Sequence, residues 1–161
     1  MRTFTTDVVI IGAGPVGIFQ AFELGLQGLK AILIDSLPEI GGQCTELYPD
    51  KPIFDIPALP NATAKQTIDN LWQQAEAFDP MYILGERVDD IKKHTDTFFS
   101  VTTSKHTLVY AKAVIIAGGN GAFSPVKLKI AKIQPLQNKH LLKLINKTSK
   151  LKNKNQLSIK K

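Results

Sequence analysis

The chain has 161 residues and is 43% hydrophobic, which is enough for one domain of ordinary size and too little for two. Its net charge is +6, and its single cysteine, Cys44, excludes a disulfide framework, a redox-active cysteine pair and a zinc site built from several cysteines. No apolar stretch approaches the ~20 residues of a membrane-spanning helix, and the first residues lack a signal-peptide pattern, so we expect a cytoplasmic protein without membrane contact.

The charge is unevenly distributed along the chain. Residues 1–125 contain 9 Lys and Arg against 14 Asp and Glu, whereas residues 126–161 contain 11 Lys and no acidic residue. We therefore expect one folded domain, residues 1–125, and a lysine-rich tail, residues 126–161, that is poorly ordered. A basic block could attract nucleic acid or anionic lipid, but this one has no arginine or aromatic residue, and we expect no nucleic-acid partner.

The first elements in chain order alternate as strand, helix and strand. Residues 7–11 form a β-branched apolar run, residues 15–28 repeat apolar side chains at helical spacing, and residues 30–34 are again apolar. A strand, a crossover helix and a second strand predict a βαβ unit with parallel strands.

The next part of the chain has a long loop, a second helix and several short strands. Residues 37–60 are rich in proline and glycine and predict a loop, and residues 62–78 predict a helix with Thr63 as its N-cap. Residues 81–110 contain short segments rich in β-branched and aromatic residues, which predict a small antiparallel sheet. The run AVIIA at 113–117 precedes two glycines and is apolar on both faces, which predicts a central parallel strand.

A glycine motif lies at the first turn from strand to helix. Gly12, Gly14 and Gly17 fit the pattern G-x-G-x-x-G, with Pro15 and Val16 between the last two. The first glycine allows a tight turn, the second lets the backbone approach a pyrophosphate, and the third lets the helix pack closely on the strand. By itself, the pattern is also compatible with a glycine-rich turn in an unrelated α/β protein.

An acidic residue makes this motif more specific. Asp35 stands at the end of the second predicted strand, eighteen residues after Gly17. A carboxylate at this place accepts hydrogen bonds from the ribose hydroxyls of a bound dinucleotide. The motif therefore predicts dinucleotide binding but does not distinguish NAD from FAD.

Three segments, in order, resemble a known family. They are DVVIIGAGPVGIF at 7–19, GGQCTELYPDKPIFDIP at 41–57 and AVIIAGGNGAFSPVKL at 113–128. Together they resemble the FAD domain of thioredoxin-reductase-like ferredoxin–NADP reductases, in which the Gly-Gly pair would lie against the flavin end of the cofactor. The resemblance implies an α/β fold: a Rossmann-like FAD-binding domain with a parallel sheet and a small antiparallel β insertion. It also implies FAD as cofactor, NADPH as electron donor and ferredoxin or a similar carrier as partner, and it leaves a homodimer open.

The resemblance also assigns roles to individual side chains. Asp35 would hold the ribose, Gln43 and Tyr48 would lie along the flavin, Val88 would meet the adenine, and Phe123 would cover the isoalloxazine ring. Val88, Tyr48 and Phe123 could instead be core residues, and Gln43 a polar loop residue. The complete set of expected cofactor-binding residues is Gly12, Gly14, Pro15, Val16, Gly17, Asp35, Gly42, Gln43, Tyr48, Val88 and Phe123.

The cysteine and the histidines point to no further chemistry. Disulfide reductases of the same superfamily have a second cysteine five residues after the first, and Pro49 stands at that position. We therefore expect Cys44 to be a small packed side chain. The three histidines lack the spacing of metal ligands, so we predict no metal site, and we assign no catalytic residue.

The sequence departs from the family where the second half of a reductase would begin. The resemblance implies a second glycine fingerprint for NADPH and a returning Gly-Asp segment, and residues 126–161 contain neither. We therefore expect an FAD-binding flavoprotein that resembles ferredoxin–NADP reductase, is truncated relative to the family, and depends on another polypeptide for the NADPH domain. The alternative is a truncated, non-catalytic nucleotide-binding remnant, and a weaker one is a nucleic-acid or membrane binder that acts through the tail.

Overall fold

The computed structural model describes residues 1–121, and the expectations for residues 126–161 and for Phe123 lie outside them. The described part is an α/β unit with nine helices and strands. In chain order these are β1 (Thr3–Ile11), α1 (Pro15–Leu26), β2 (Ala31–Asp35), α2 (Gln43–Glu46), α3 (Ala64–Glu76), β3 (Met81–Leu84), β4 (Val88–Thr95), β5 (Phe98–Thr103) and β6 (Leu108–Ile116).

All six strands of the described residues belong to one sheet, in the order β3-β2-β1-β6-β5-β4. Strands β3, β2, β1 and β6 are parallel, whereas β4 with β5 and β5 with β6 are antiparallel. The predicted parallel sheet is therefore confirmed, with its first crossover between β1 and β2 through α1. Strand β1 lies at the centre of the parallel part, so the turn that follows it opens at the carboxyl edge of the sheet.

The predicted antiparallel strands are present, and they continue the parallel sheet. Strand β6 pairs with β5 as far as Ala111 and with β1 along its whole length, so it joins both parts. The first segment of the expected insertion, β3, pairs instead in parallel with β2. Gly85 ends β3 with a φ of +69°, and its N–H donates to the carbonyl of Leu37 at 2.8 Å, which separates β3 from β4.

The two longer helices follow the sequence pattern closely. Helix α1 has Pro15 at its first position, where the missing N–H is not needed. Helix α3 begins at the predicted N-cap: the Thr63 side chain accepts from the Gln66 N–H at 3.2 Å, and the Gln66 side chain accepts from the Thr63 N–H at 2.9 Å. The short α2 lies inside the region predicted as a loop. Within residues 1–121, no helix is both long and apolar enough to cross a bilayer.

Two hydrophobic clusters lie on opposite faces of the parallel strands. Val8 and Ile10 of β1 face the first cluster, together with Ile18 of α1 and Ile68 of α3. Val9 faces the second cluster, which also contains side chains from β2, β3, β5 and β6. Alternate residues of β1 are therefore buried on both faces, as expected for a central parallel strand.

Candidate nucleotide-binding site

The glycine loop between β1 and α1 is shaped by close contacts between backbones. Gly12 has a φ of +107°, and a Cβ on it would lie 2.4 Å from the carbonyl oxygen of Ala117. A Cβ on Gly17 would lie 1.9 Å from the carbonyl oxygen of Gly12. Neither position has room for a side chain, so α1 starts directly against the end of β1 and close to the end of β6.

Gly14 differs from these two glycines because no atom lies within 4 Å of the place where its Cβ would be. Gly14 is the N-cap of α1, and the first turn contains no acidic residue. The N–H groups of Val16 and Gly17 have no acceptor within the helix, because they belong to its first turn. Open space, free donors and the positive end of the helix dipole together suit a bound anion such as a pyrophosphate.

Asp35 connects the end of β2 with this loop. Its Oδ2 accepts a hydrogen bond from the N–H of Ala13 at 2.7 Å, and its Oδ1 accepts from the N–H of Leu37 at 2.9 Å. Each carboxylate oxygen has a second lone pair, so both can still accept a hydroxyl hydrogen. The side chain therefore has two backbone partners and room to accept further hydrogen bonds, and its contact with a ribose stays a prediction.

The Gly41–Gly42 pair comes back over the loop. The N–H of Gly41 donates to the carbonyl of Ala13 at 2.7 Å, and a Cβ on Gly42 would lie 3.3 Å from the Cα of Gly14. The structure thus brings three segments together: the glycine loop, the end of β2 and the Gly-Gly pair. The predicted set of site residues contains neither Gly41 nor Ala13. The Gly-Gly motif in the sequence could have indicated Gly41.

Gln43 and Tyr48 lie at the two ends of α2. Gln43 is the first residue of α2 and follows Gly42 directly, so its backbone is next to the glycine loop. The Tyr48 Oη lies 3.9 Å from the Cys44 Sγ, and the Lys51 Nζ lies 5.4 Å from the centre of the Tyr48 ring. Burial, and secondly the contact with Cys44, raises the pKa of Tyr48. Cys44 itself packs against the first hydrophobic cluster, in agreement with the expected small packed side chain.

Val88 is the first residue of β4 and is far from the glycine loop along the chain. Its half-buried side chain packs against the second hydrophobic cluster, which contains Val9 and Ile34. This packing agrees with the alternative that Val88 is a core residue, and its contact with adenine stays a prediction. The predicted contact of Phe123 concerns a residue outside the described part of the chain.

A buried carboxylate that the sequence did not single out lies between β3 and β4. Glu86 is 3% exposed, contacts the Arg2 guanidinium, and accepts from the Thr103 hydroxyl at 2.6 Å. Arg2 also donates to the Thr107 hydroxyl at 3.1 Å. Burial alone would raise the pKa of Glu86, but hydrogen bonds from the two threonines and the charge of Arg2 outweigh it and lower the pKa. This network joins the N-terminus, the turn after β3 and the turn between β5 and β6.

A separate groove of about 450 Å³ lies beside the Gly-Gly segment, between α3 and the end of β3. Its lining includes Ile40, Thr45, Trp72 and Tyr82. Burial, with the nearby charge of Glu76, raises the pKa of Tyr82 to about 12, so this phenol stays protonated at neutral pH. Among residues 1–121 no cluster of three or more His, Cys, Asp or Glu residues has the geometry for a metal ion.

The model of the pyridine nucleotide-disulphide oxidoreductase family matches residues 6–159. The chain belongs to this family. A relative named ferredoxin–NADP reductase from Colwellia psychrerythraea is 61% identical over 155 residues, which are 96% of this chain and 44% of the relative. One of the same name from Rickettsia typhi is 47% identical over 152 residues, 94% of this chain and 45% of the relative. The chain thus spans less than half the length of these relatives and matches their N-terminal part.

Solved structures show the same fold. The thioredoxin reductase of Streptococcus pyogenes superimposes with a TM-score of 0.64 at 24% identity, over 78% of this chain and 38% of that one. The thioredoxin reductase of T. acidophilum gives a TM-score of 0.61 at 25% identity, over 70% and 34%. The predicted Rossmann-like α/β fold and the resemblance to ferredoxin–NADP reductases are both confirmed.

Proposed function

We propose that the glycine loop, Asp35 and the Gly41–Gly42 segment hold the ADP part of FAD, and that the chain is the FAD-binding part of a reductase of the ferredoxin–NADP type. The observation that carries this proposal is the open space at Gly14 beside the first-turn N–H groups of α1, with the Asp35 carboxylate bound to the N–H of the neighbouring Ala13. A diphosphate needs hydrogen-bond donors and a first helical turn without acidic residues, and a ribose needs an acceptor a few ångströms away. Membership of the pyridine nucleotide-disulphide oxidoreductase family supports the same ligand.

We propose that the other predicted site residues make the remaining contacts with FAD. Pro15 and Val16 border the pyrophosphate, and Val16 is 67% exposed and free to contact a ligand. Gln43, the first residue of α2, and Tyr48, two residues after its end, contact the flavin part by hydrogen bonding and ring packing. Val88 contacts the adenine, and Phe123 covers the isoalloxazine ring. Bound flavin supplies the hydride- and electron-accepting chemistry, and these residues bind and orient it.

The overall activity is electron transfer between NADPH and ferredoxin through FAD, and it requires more than this chain. Hydride transfer needs a nicotinamide held against the flavin, so both nucleotide sites must be present. Because this chain matches less than half of the reductases named above, we propose that the NADPH domain comes from outside residues 1–161 and that this chain alone does not oxidise NADPH. We place the protein in the cytoplasm. A non-catalytic nucleotide-binding remnant is the second candidate.

A titration with FAD tests the binding function. We expect flavin fluorescence to change on binding. The affinity should be lower than that of a whole reductase, because residues 1–161 lack the contacts that the rest of a reductase adds. The absorbance of NADPH should stay constant. Gly14→Val fills the open space and should weaken binding at least tenfold, whereas Lys65→Met, an exposed change on α3, should leave it unchanged. FAD binding that is equally strong in Gly14→Val would contradict the site, and NADPH oxidation by the chain alone would contradict the need for a second domain.

A further test separates the two candidates. The N-terminal part of the Colwellia psychrerythraea reductase can be replaced by this chain, because the two are 61% identical over 155 residues. If the chain retains a working FAD site, the chimera should oxidise NADPH with ferredoxin as acceptor. A chimera that folds and stays flavin-free would support the remnant instead.

A further inference from the structure

Asp35 has two backbone partners that come from different segments of the chain. Its Oδ2 holds the N–H of Ala13 in the glycine loop at 2.7 Å, and its Oδ1 holds the N–H of Leu37 after β2 at 2.9 Å. Hydrogen bonds to an ionised carboxylate are short and stronger than those between neutral groups. The carboxylate therefore adds a side-chain link between the glycine loop and the end of β2, beside the backbone bond from the Gly12 N–H to the Ile34 carbonyl at 2.8 Å.

The bond to Ala13 acts on the most adaptable part of the loop. Ala13 stands between Gly12 and Gly14, and glycine has the largest conformational freedom of any residue. The carbonyl of Ala13 accepts from the Gly41 N–H at 2.7 Å, so Ala13 is held on its N–H side by Asp35 and on its carbonyl side by Gly41. Of these two supports only Asp35 is a side chain, so it can be removed by substitution.

We infer that Asp35 is a positioning residue for the phosphate loop, in addition to its proposed role as ribose acceptor. By fixing the peptide between Gly12 and Ala13, it holds the loop in the form that leaves the Gly14 space open for a diphosphate. The inference rests on the proposed function, because it concerns the same nucleotide site. It differs from the ribose role in one measurable respect: Asp35 contributes to the binding of a nucleotide that has no ribose hydroxyls.

The test compares ADP with 2′,3′-dideoxy-ADP by calorimetric titration against the wild-type chain, Asp35→Asn and Asp35→Ala. If Asp35 acted only through the hydroxyls, Asp35→Ala would weaken ADP and leave dideoxy-ADP unchanged. We expect Asp35→Ala to weaken dideoxy-ADP as well, by about tenfold, and Asp35→Asn to weaken it less because its amide oxygen still accepts one N–H. An unchanged affinity for dideoxy-ADP in both variants overturns the inference.

Asp7 provides a matched control within the same strands. Its Oδ2 also accepts a backbone N–H from a neighbouring segment, that of Lys30 at 3.0 Å, and its Oδ1 accepts from Lys112 Nζ at 2.7 Å. The bond of Asp7 lies at the start of β2, whereas Asp35 is the last residue of that strand, next to the glycine loop. Asp7→Ala should therefore leave the affinity for both nucleotides unchanged, and a loss equal to that of Asp35→Ala would show a general destabilisation and overturn the inference.

Amide hydrogen exchange provides a readout that needs no ligand. In the wild-type chain the Ala13 amide should be protected, and in Asp35→Ala it should exchange several-fold faster while amides in the middle of β1 keep their protection. Unchanged exchange at Ala13 overturns the positioning role. If the wild-type chain binds neither ADP nor FAD, the proposed function fails, and the exchange at Ala13 alone decides whether Asp35 holds the loop.

Discussion

The parallel and antiparallel parts of the sheet are stabilised in different ways. In the parallel part the fully buried side chains are apolar, such as Ile10 and Leu33, and the polar contacts at the glycine loop are made chiefly by backbone groups. In the antiparallel part the fully buried side chains include Thr103 and Thr107, which surround the carboxylate of Glu86. Apart from the bond of Asp35 to Ala13, the glycine loop therefore depends on positions that have no side chain, whereas the antiparallel part depends on particular buried polar side chains.

This difference predicts opposite sensitivities to substitution. Adding atoms should damage the parallel part, because backbones approach one another too closely to admit a Cβ. Removing a polar partner should damage the antiparallel part, because a buried donor or acceptor would lose its hydrogen bond. Four changes in stability test the comparison, and the largest comes first.

Gly17→Ala should have the largest effect, a decrease of about 3 kcal/mol in the free energy of unfolding. The added methyl would lie 1.9 Å from the carbonyl oxygen of Gly12, so α1 must move away from the loop. Gly14→Ala is the matched control, since no atom lies within 4 Å of its Cβ position, and it should cost less than about 1 kcal/mol. Urea denaturation measures both, and equal losses would contradict the role of backbone contact.

Glu86→Ala should lower the free energy of unfolding by about 2 kcal/mol, because it leaves the buried hydroxyl of Thr103 without its acceptor. The Arg2 partner is mostly exposed and can return to water, which limits the loss. A decrease no larger than that of an exposed substitution would show that the buried network is unimportant for stability.

The pH dependence gives a second test of Glu86. Its pKa is lowered in the folded state, so its stabilising contribution is present above the unfolded pKa of about 4.3 and is lost as the pH falls through the lower folded value. Between neutral pH and about pH 3, wild-type stability should therefore decrease more than that of Glu86→Gln. Parallel curves for the two proteins would contradict the lowered pKa.

Thr63→Ala should cost about 1 kcal/mol, because it removes the acceptor for the first turn of α3. Gln66→Ala removes only the reciprocal bond of the capping box and should cost less. Thermal unfolding of the two variants distinguishes these contributions. The effect is smaller than that of Gly17→Ala because the cap is exposed and water can replace it.

Arg87→Met should change the free energy of unfolding by less than about 0.5 kcal/mol. Arg87 pairs with Asp89 at 2.8 Å in the antiparallel part, but both side chains are exposed. Compared with Glu86→Ala next to it in the chain, this variant separates the effect of burial from that of charge. A loss as large as that of Glu86→Ala would contradict the distinction.

The sequence predicted the elements whose signals are local. Helix α3 and its N-cap Thr63 follow from apolar spacing and from a capping residue placed immediately before it, and the glycine loop follows from a motif of six residues. Strand pairing is different because the partner is far along the chain. Nothing within β3 indicates that it pairs with β2 rather than with β4, and nothing in residues 108–111 or in the run AVIIA indicates that both belong to one strand, β6.

The same distinction applies to the candidate site. Gly12, Gly14, Gly17 and Asp35 were identified from spacing alone, and the structure brings them together. The bond from Ala13 to Asp35 depends on how α1 returns the chain to β2, which no local pattern specifies. The buried Glu86 also could not be predicted, because GER between two strands has the composition of an ordinary charged turn.

Trp72 is the single tryptophan of the chain, and it gives the site a natural optical signal. Its ring is 38% exposed in the groove whose lining also includes Ile40, the residue before the Gly-Gly pair. Indole emission depends on the polarity and mobility of its surroundings. Any ligand that orders the segment around Gly41 and Gly42 should therefore alter the emission of Trp72, so binding of colourless nucleotides can be followed without a label.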